Sequence, residues 1–144
     1  MIYIASDHGG FEMKKALFEY IQRRGFDVTD LGPETLDPND DYPDYAIRMA
    51  KAMQNEDDLG VLICRSGEGM VMTANKAPHI RAFIGFGERV TAVTKSNDWG
   101  NVLCIPSDYI SLDEARRIID AFLDTKRTDV ERHVRRVKKI SWQP

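Results

Sequence analysis

Five short apolar runs, separated by amphipathic stretches, constrain the fold of this chain more than any other feature of its sequence. Each run is six residues long, which fits a strand covered on both faces and is too short for a membrane span. The runs are MIYIAS (1–6), FDVTDL (26–31), LGVLIC (59–64), IRAFIG (80–85) and NVLCIP (101–106). A parallel sheet with helices on both sides buries every strand in this way.

Helical periodicity fills the gaps between these runs. The first helix has an apolar stripe from Phe11 to Ile21 and is followed by Gly25, a helix stop signal. Further helices are predicted at 44–55, 68–77, 88–97, 112–124 and 129–140. Ser111 and Glu114 have the spacing of a capping box before the helix at 112–124. This alternation predicts an α/β protein, a Rossmann-like three-layer α/β/α sandwich with a five-stranded parallel sheet.

Length and composition narrow the functional classes. At 144 residues the chain fits one domain over 1–144. Its formal net charge of −3 disfavours a general nucleic-acid binder. The first apolar run is too short for a signal peptide, and no run approaches a membrane span, so we expect a cytoplasmic protein. The two cysteines lack metal-ligand spacing and predict reduced thiols, with neither a disulfide framework nor a metal site.

Three polar segments follow the first three strands of the predicted sheet. They are 6–10 (SDHGG), 40–45 (DDYPDY) and 64–69 (CRSGEG). In open parallel sheets ligands bind outside the carboxyl ends of the strands, so these segments are expected to converge on one crevice. The irregular segment 32–44 is long for a compact domain, which is typical of a functional loop or lid.

The segment CRSGEG has the composition of an anion-binding loop. Gly67 and Gly69 allow backbone amides to turn toward a ligand, and the predicted helix that follows adds its positive end. It is neither a dinucleotide fingerprint nor a P-loop, because the third glycine and the Gly-Lys-Ser/Thr sequence are missing. The alternative is a turn that only allows a tight connection from strand to helix.

Reactive side chains occur beside this loop and after the first strand. Cys64 precedes a predicted helix and Arg65, both of which are expected to lower the pKa of its thiol toward neutrality, so that it can act as a base. The alternative is a buried cysteine that only packs in the core. Asp7 and His8 either bind hydroxyls and phosphate or exchange protons, whereas a purely structural Asp7 would cap the first helix.

Near the C-terminus, the last helix carries a run of basic residues. Arg132 and Arg136 are four residues apart and project from the same side, an arrangement that suits a phosphate dianion. A charge run on a helix is otherwise a solvated face.

Together these motifs resemble the sugar-phosphate isomerases that comprise type B ribose-5-phosphate isomerase and the galactose-6-phosphate isomerase subunits. The resemblance covers nearly the whole chain, in the family's order and spacing. The segments that carry it are SDHGGFEMK (6–14), DYPDYA (41–46), LICRSGEGM followed by ANK (62–76), IRA (80–82), NVL (101–103) and RHVRRV (132–137).

The resemblance implies an aldose–ketose isomerase that works through a cis-enediolate without metal or cofactor. By this analogy Cys64 is the base that moves a proton between C1 and C2. Ser66 stands where the family usually has threonine, with its hydroxyl near the reacting oxygens. The amides from Gly67 to Met70 would stabilise the enediolate oxygen.

The same resemblance implies which residues bind the substrate. Asp7 and Tyr42 would contact sugar hydroxyls, and His8, Arg132 and Arg136 would hold the phosphate. In the family the site lies between two subunits and the C-terminal helix reaches the partner, which implies a homodimer or a tetramer.

The glycine loop departs from the family pattern, which usually reads Cys-Gly-Thr-Gly. Arg65 replaces a glycine, and if that position needs a positive φ the loop must be reshaped. Glu68 places an acid at the helix start, where it either pairs with Arg65 or suits the dipole. Both are candidate substrate-binding residues. Some relatives use a carboxylate near this loop as the base, but the matching residue here is Met70, which favours Cys64.

A second departure concerns ring opening. An alignment without gaps places the family's His-Asn-Asp on Asn97, Asp98 and Trp99, and Asn97 cannot exchange a proton as the histidine would. A register one residue earlier places Ser96 there, which fares no better. An arginine of some relatives falls on Asp108, so one cation is lost.

These departures leave three functional hypotheses besides the pentose-phosphate isomerase that is the family default. A four-carbon sugar phosphate cannot close a furanose ring and would not need the histidine that Asn97 replaces. A phosphate-binding subunit without activity, working in a hetero-oligomer, would also tolerate Arg65 and Asn97. A nucleotide-dependent oxidoreductase is disfavoured, because no dinucleotide glycine pattern follows the first strand.

Overall fold

The computed structural model describes residues 1–140 and Trp142. It contains the predicted alternation of strands and helices, with a short 3-10 helix after the first strand. The strands are β1 (Ile2–Ser6), β2 (Val28–Asp30), β3 (Leu59–Cys64), β4 (Ala82–Ile84) and β5 (Val102–Pro106). The helices are α1 (Phe11–Arg23), α2 (Tyr42–Ala52), α3 (Glu68–Ala74), α4 (Glu88–Asn97), α5 (Leu112–Asp124) and α6 (Glu131–Ile140).

All strand pairs in the five-stranded sheet are parallel, and the strand order is β2-β1-β3-β5-β4. The chain leaves β1 for β2 on one side and later returns to place β3 on the other side. The order therefore reverses between β1 and β3, and a crevice is expected outside the carboxyl ends of these two strands.

Helices cover both faces of the sheet, which confirms the three-layer α/β/α sandwich. Alternate residues of each strand point to opposite faces. Val61 and Ile63 of β3 therefore pack with α1 and α5, whereas Leu62 and Cys64 pack with α2 and α3. Because both faces are covered, the strands are almost continuously apolar, and this explains why the sequence showed them so clearly.

Helix boundaries agree with the sequence prediction where local capping signals are strong. The capping box of α5 is present, since Ser111 Oγ accepts a bond from Glu114 N at 3.2 Å and Glu114 Oε2 accepts one from Ser111 N at 2.8 Å. By contrast, α2 begins and ends earlier than predicted. Pro43 is accommodated in its first turn. Beyond its end, Asp58 Oδ2 accepts bonds from Gln54 N and Asn55 N, which stabilise a non-helical turn.

None of the described helices combines the length and apolar character that would be needed to cross a membrane.

Candidate active site

The loops after β1 and β3 meet at the carboxyl edge of the sheet, as the sequence predicts. Asp7 N donates a hydrogen bond to Ile63 O at 3.2 Å, which ties the first loop to the end of β3. The Asp7 carboxylate accepts a bond from Gly10 N at 3.2 Å and is 5% exposed. Asp7 thus caps the short 3-10 helix His8–Gly10 rather than α1, whose N-cap is Gly10. Its buried carboxylate also lies close enough to Cys64 to influence the thiol pKa.

Cys64 ends β3 with a buried side chain that faces the following loop. Its Sγ accepts a hydrogen bond from Gly67 N at 3.1 Å. Burial raises the pKa of the Cys64 thiol, and the negative charge of Asp7 adds to the increase. Amides including Gly67 N oppose this effect without outweighing it. The prediction that the thiol pKa falls toward neutrality is therefore wrong, because desolvation exceeds the effect of the loop amides and Arg65 lies exposed to solvent.

The loop from Ser66 to Met70 has the tight geometry that its glycines indicate. Gly67 adopts a left-handed conformation with φ 78° and forms the N-cap of α3. Gly69 is required for close packing, because a Cβ atom there would lie 2.5 Å from the Tyr42 ring. Tyr42 therefore lies directly over this loop, so all three predicted segments converge. Ser66 and Glu68 are exposed on the loop, and Glu68 N donates to Ser66 Oγ at 3.4 Å.

Arg65 occupies its position without backbone strain. The one non-glycine residue with positive φ among residues 1–140 and Trp142 is Trp99, so Arg65 does not need the conformation that a glycine would allow. Its aliphatic portion packs on the first loop, where a Cβ atom on Gly9 would lie 2.5 Å from Arg65 Cγ. Its Nη1 lies 3.9 Å from Asp108 Oδ2, a weak exposed pair. The alternative pairing of Arg65 with Glu68 is not formed.

His8 makes its contacts with Asp40, in the loop before α2. His8 Nδ1 lies 2.6 Å from Asp40 Oδ1, and His8 N donates to the same oxygen at 3.0 Å. The hydrogen bond to Asp40 raises the pKa of His8. Asp7, His8 and Asp40 also form the one group within the described chain whose possible metal-ligand atoms all lie within 4.8 Å. Because Nδ1 is bonded to Asp40, this geometry fits a histidine–carboxylate pair.

Two residues of this edge were missed as individual candidates. Asp40 was placed in a converging segment but was given no role, and its signal was its position in the polar loop after β2. Ser107 follows β5, and its Oγ lies 2.9 Å from Gly9 O and 3.1 Å from Cys64 O. It links the loops after β1 and β3, and the signal for it was a hydroxyl directly beyond a buried strand.

The remaining candidates lie at the opposite edge of the sheet. Asn97 ends α4 and Asp98 follows it, close to the start of β5, where Gly60 N donates to Asn101 O at 2.8 Å. Gly60 is near the first residue of β3 and Cys64 is its last, which separates the two edges by about 13 Å along the strand. One chain therefore does not bring Asn97 and Asp98 to Cys64.

The C-terminal helix also lies at this amino edge. Buried Val137 of α6 lines a cavity of about 450 Å³ together with Trp99 and Arg127. Trp99 fixes the segment that leads into α6, since its Nε1 donates to Thr128 O at 3.1 Å. Arg132 and Arg136 are exposed on α6, so both predicted phosphate ligands lie far from Cys64 of the same chain.

Comparison with known proteins identifies the family to which this chain belongs. A model of the family described as Ribose/Galactose Isomerase matches residues 2–140. The chain belongs to this family. A protein of Mycoplasma pneumoniae named probable ribose-5-phosphate isomerase B is 44% identical over 140 residues, which cover 96% of this chain and 91% of that protein.

Solved structures of the family share the whole fold. Ribose-5-phosphate isomerase B from Mycoplasma genitalium, solved with bound ribulose-5-phosphate, superposes with a TM-score of 0.93 at 42% identity, covering 97% of this chain and 93% of that one. The Thermotoga maritima ribose 5-phosphate isomerase superposes with a TM-score of 0.91 at 37% identity, covering 97% and 96%. The family resemblance seen in the sequence is confirmed, and so is the fold expected from it.

Proposed function

We propose that this protein is an aldose–ketose isomerase of sugar phosphates and that Cys64 is its base. The observation that carries the proposal is the position of Cys64, whose sulfur faces the Gly67 amide between the Asp7 and Tyr42 loops, in a chain of the ribose/galactose isomerase family. The relatives named ribose-5-phosphate isomerase B make ribose 5-phosphate the first substrate to test.

The proposed reaction is a proton transfer between adjacent carbons. The Cys64 thiolate removes the proton from C2 of the open-chain aldose, the C–H electron pair forms the C1–C2 double bond, and negative charge collects on O1. Amides of the Gly67–Met70 loop stabilise this cis-enediolate. The hydroxyl proton of O2 passes to O1, the thiol returns the carbon proton to C1, and the carbonyl forms at C2. Ser66 lies near the reacting oxygens in this scheme, Asp7 and Tyr42 contact the sugar hydroxyls, and no metal or cofactor takes part.

A complete site requires two chains in this proposal. Cys64 and His8 lie at the carboxyl edge of the sheet, whereas Asn97, Asp98, Arg132 and Arg136 lie at the amino edge. A homodimer, or a tetramer built from dimers, would place the amino edge of one chain against the carboxyl edge of another. The C-terminal helix would then bring its two arginines to the phosphate on the partner subunit.

Asn97 supports a second candidate substrate. A cyclic pentose phosphate must be opened by a group that exchanges protons, and the amide of Asn97 does not. A four-carbon sugar phosphate has its O4 esterified and cannot form the furanose, so it needs no such group. Asp98 is exposed beside Asn97 and is the nearest group in sequence able to transfer a proton.

A panel of four-, five- and six-carbon aldose phosphates, assayed for ketose formation, tests the proposal. We expect turnover of at least one of them, with Cys64→Ala losing about three or more orders of magnitude in kcat. Cys104→Ala is the matched control, because Cys104 is a fully buried cysteine of β5. Full activity on ribose 5-phosphate would exclude the restriction to four carbons. Phosphate binding without turnover of any sugar phosphate would favour the alternative hypothesis, a phosphate-binding subunit without activity.

A further inference from the structure

The histidine of the carboxyl edge is held by an acid from a loop distant in sequence. Asp40 Oδ1 accepts two hydrogen bonds from His8, one from the backbone N–H at 3.0 Å and one from Nδ1 at 2.6 Å. The side chain of Asp40 is 7% exposed, whereas that of His8 is 34% exposed. The two bonds fix both the turn that carries His8 and the plane of its ring. Because a carboxylate only accepts, Nδ1 carries a proton.

The buried carboxylate of Asp40 requires a compensating charge. Its Oδ2 is buried and makes no hydrogen bond within the described chain. The Tyr45 phenol lies near this carboxylate and stays neutral, since burial first and Asp40 second raise the pKa of Tyr45 to about 12. A buried carboxylate with so few partners is retained at low cost only beside a cation. The side chain in contact with Asp40 that can supply this cation is His8, when both ring nitrogens are protonated.

This arrangement leaves Nε2 of His8 available to donate a hydrogen bond to a ligand. Nε2 of His8 has no partner among the described residues, and the ring is partly exposed at the carboxyl edge. A ring fixed through Nδ1 and charged by its neighbour presents an N–H donor at Nε2. The charged groups that influence His8 are Asp7, Asp40 and Arg65. Those that influence the neighbouring Tyr45 are Asp40, Arg48 and Asp37.

We propose that Asp40 is a positioning residue for substrate binding, which holds His8 as an imidazolium with its Nε2–H directed at the phosphate of the sugar. The inference rests on the proposed function and deepens it. It divides phosphate binding between a fixed imidazolium on one chain and the two arginines of α6 on the partner subunit. The sugar end of the substrate is left to the Asp7 and Cys64 loops.

The pKa directions agree with this assignment. The hydrogen bond that His8 donates to Asp40 is the largest influence that raises the pKa of His8. The charges of Asp7 and Asp40 add to the increase, whereas burial and Arg65 oppose it. Burial would raise the pKa of Asp40, but its bonds to His8 lower it overall. His8 therefore stays protonated, and paired with Asp40, up to a higher pH than a histidine in free solution. Replacing Asp40 with asparagine should make His8 lose its charge at lower pH.

The test is an NMR titration of His8 with and without inorganic phosphate, in the wild type, Asp40→Asn and Asp37→Asn. The last variant is the matched control, because Asp37 is an exposed acid of the same loop. We expect a wild-type His8 pKa above 6.5 and a fall of this pKa in Asp40→Asn only. Phosphate binding by Asp40→Asn should be about tenfold weaker at pH 7.5, the effect of losing one charge-assisted hydrogen bond. The deficit should shrink as the pH is lowered, because a larger fraction of His8 is then protonated in every variant.

Steady-state kinetics on the sugar phosphate complete the test. Asp40→Asn should raise KM about tenfold at pH 7.5 and leave kcat within about twofold. A fall in kcat at constant KM would overturn the inference, since the pair would then be transferring protons, for example in ring opening. Unchanged phosphate affinity in Asp40→Asn would also overturn it, as would a wild-type His8 pKa at or below 6.5, which needs no variant to fold. If no sugar is isomerised but the phosphate-dependent results hold, the proposed function fails and this inference stands.

Discussion

Cys64 and Cys104 occupy different positions in the sheet, and only Cys64 lies at a strand end beside the glycine loop. Both side chains are buried, and burial raises the pKa of each thiol. Cys104 lies within β5 and is surrounded by core side chains. Cys64 is the last residue of β3, so its sulfur accepts a hydrogen bond from the Gly67 amide and lies within the influence of the Asp7 charge. The thiolate of Cys64 is therefore a minor form at neutral pH, stabilised chiefly by the Gly67 N–H.

The first prediction concerns the charge of Asp7. Asp7→Asn removes a negative charge that opposes ionisation of Cys64, so the thiol pKa should fall. Measured in a Cys104→Ala background, the thiolate absorbance near 240 nm should rise at lower pH. If Cys64 is the base, the rising alkaline limb of kcat should move in the same direction, even where the lost contact to the sugar raises KM.

Asp108→Asn is the control that separates the effect of the Asp7 position from the effect of net charge. Asp108→Asn removes an exposed acid that pairs with Arg65, and it should leave the Cys64 titration unchanged. Equal shifts in both variants would show that net charge, rather than the buried position of Asp7, sets the thiol pKa.

At the scale of elements, two buried lysines on different helices differ in whether they have a charged partner. Lys14 of α1 donates to both oxygens of Asp30 on β2, at 2.8 and 2.6 Å, and to Pro33 O at 2.7 Å. Lys95 of α4 is 6% exposed, lies 5.0 Å from the centre of the Phe122 ring of α5 and forms no ion pair with the described residues. Burial, followed by the charges of Arg127 and Arg81, lowers the pKa of Lys95 to about 8.

The second prediction is that these two lysines respond oppositely to replacement by methionine. Lys95→Met removes an unpaired buried charge and should raise the free energy of unfolding at pH 7 by about 1 to 3 kcal/mol. Lys14→Met leaves Asp30 without its cation and should lower the free energy of unfolding by about 2 to 3 kcal/mol. Urea denaturation at fixed protein concentration measures both changes.

The pH dependence gives an independent check on Lys95. Its folded pKa lies below its ordinary value, so between about pH 8 and pH 10.5 the unfolded chain binds more protons than the folded one. The contribution of Lys95 to the free energy of unfolding therefore becomes less unfavourable as pH rises through this window, and the advantage of Lys95→Met should disappear above it. A variant less stable than the wild type at pH 7 would contradict the prediction and would indicate a bound counter-charge.

The elements could be predicted from the sequence because their signals are local. Apolar runs gave the five strands, and the Ser111 capping box fixed the start of α5. The insertion of β5 between β3 and β4 could not be predicted, because strand order depends on packing between distant segments. The same holds for the contact of His8 with Asp40, which joins loops after different strands. The direction of the Cys64 pKa shift was predicted wrongly. Burial, which raises this pKa against the effect of the loop amides, has no local sequence signal.

At the scale of the whole molecule, the candidate residues form two groups at opposite edges of the sheet. The carboxyl edge holds Cys64, the glycine loop and His8, and the amino edge holds Asn97, Asp98 and the arginines of α6. In the proposed reaction, the base comes from one group and the two arginines that bind phosphate come from the other. If each site combines both groups, every chain contributes to two sites. Two chains with defects in different groups can then form one undamaged site when they share a dimer.

The third prediction is that two inactive variants restore activity when they share an oligomer. Cys64→Ala damages the carboxyl edge, and the double variant Arg132→Ala, Arg136→Ala damages the amino edge. After mixing, denaturation and refolding in equal amounts, about half of the dimers are mixed, and each mixed dimer has one undamaged site out of two. Activity at subsaturating sugar phosphate should therefore recover to about a quarter of the wild-type value.

The control is a chain that carries both defects, Cys64→Ala together with Arg132→Ala and Arg136→Ala. Mixed with either parent variant, it cannot form an undamaged site between two chains, so no recovery is expected. If each chain instead held a complete site by itself, the original mixture would stay inactive as well. Recovery in that mixture alone thus separates a shared site from refolding or concentration effects, and it also shows that α6 acts on the partner subunit's carboxyl edge.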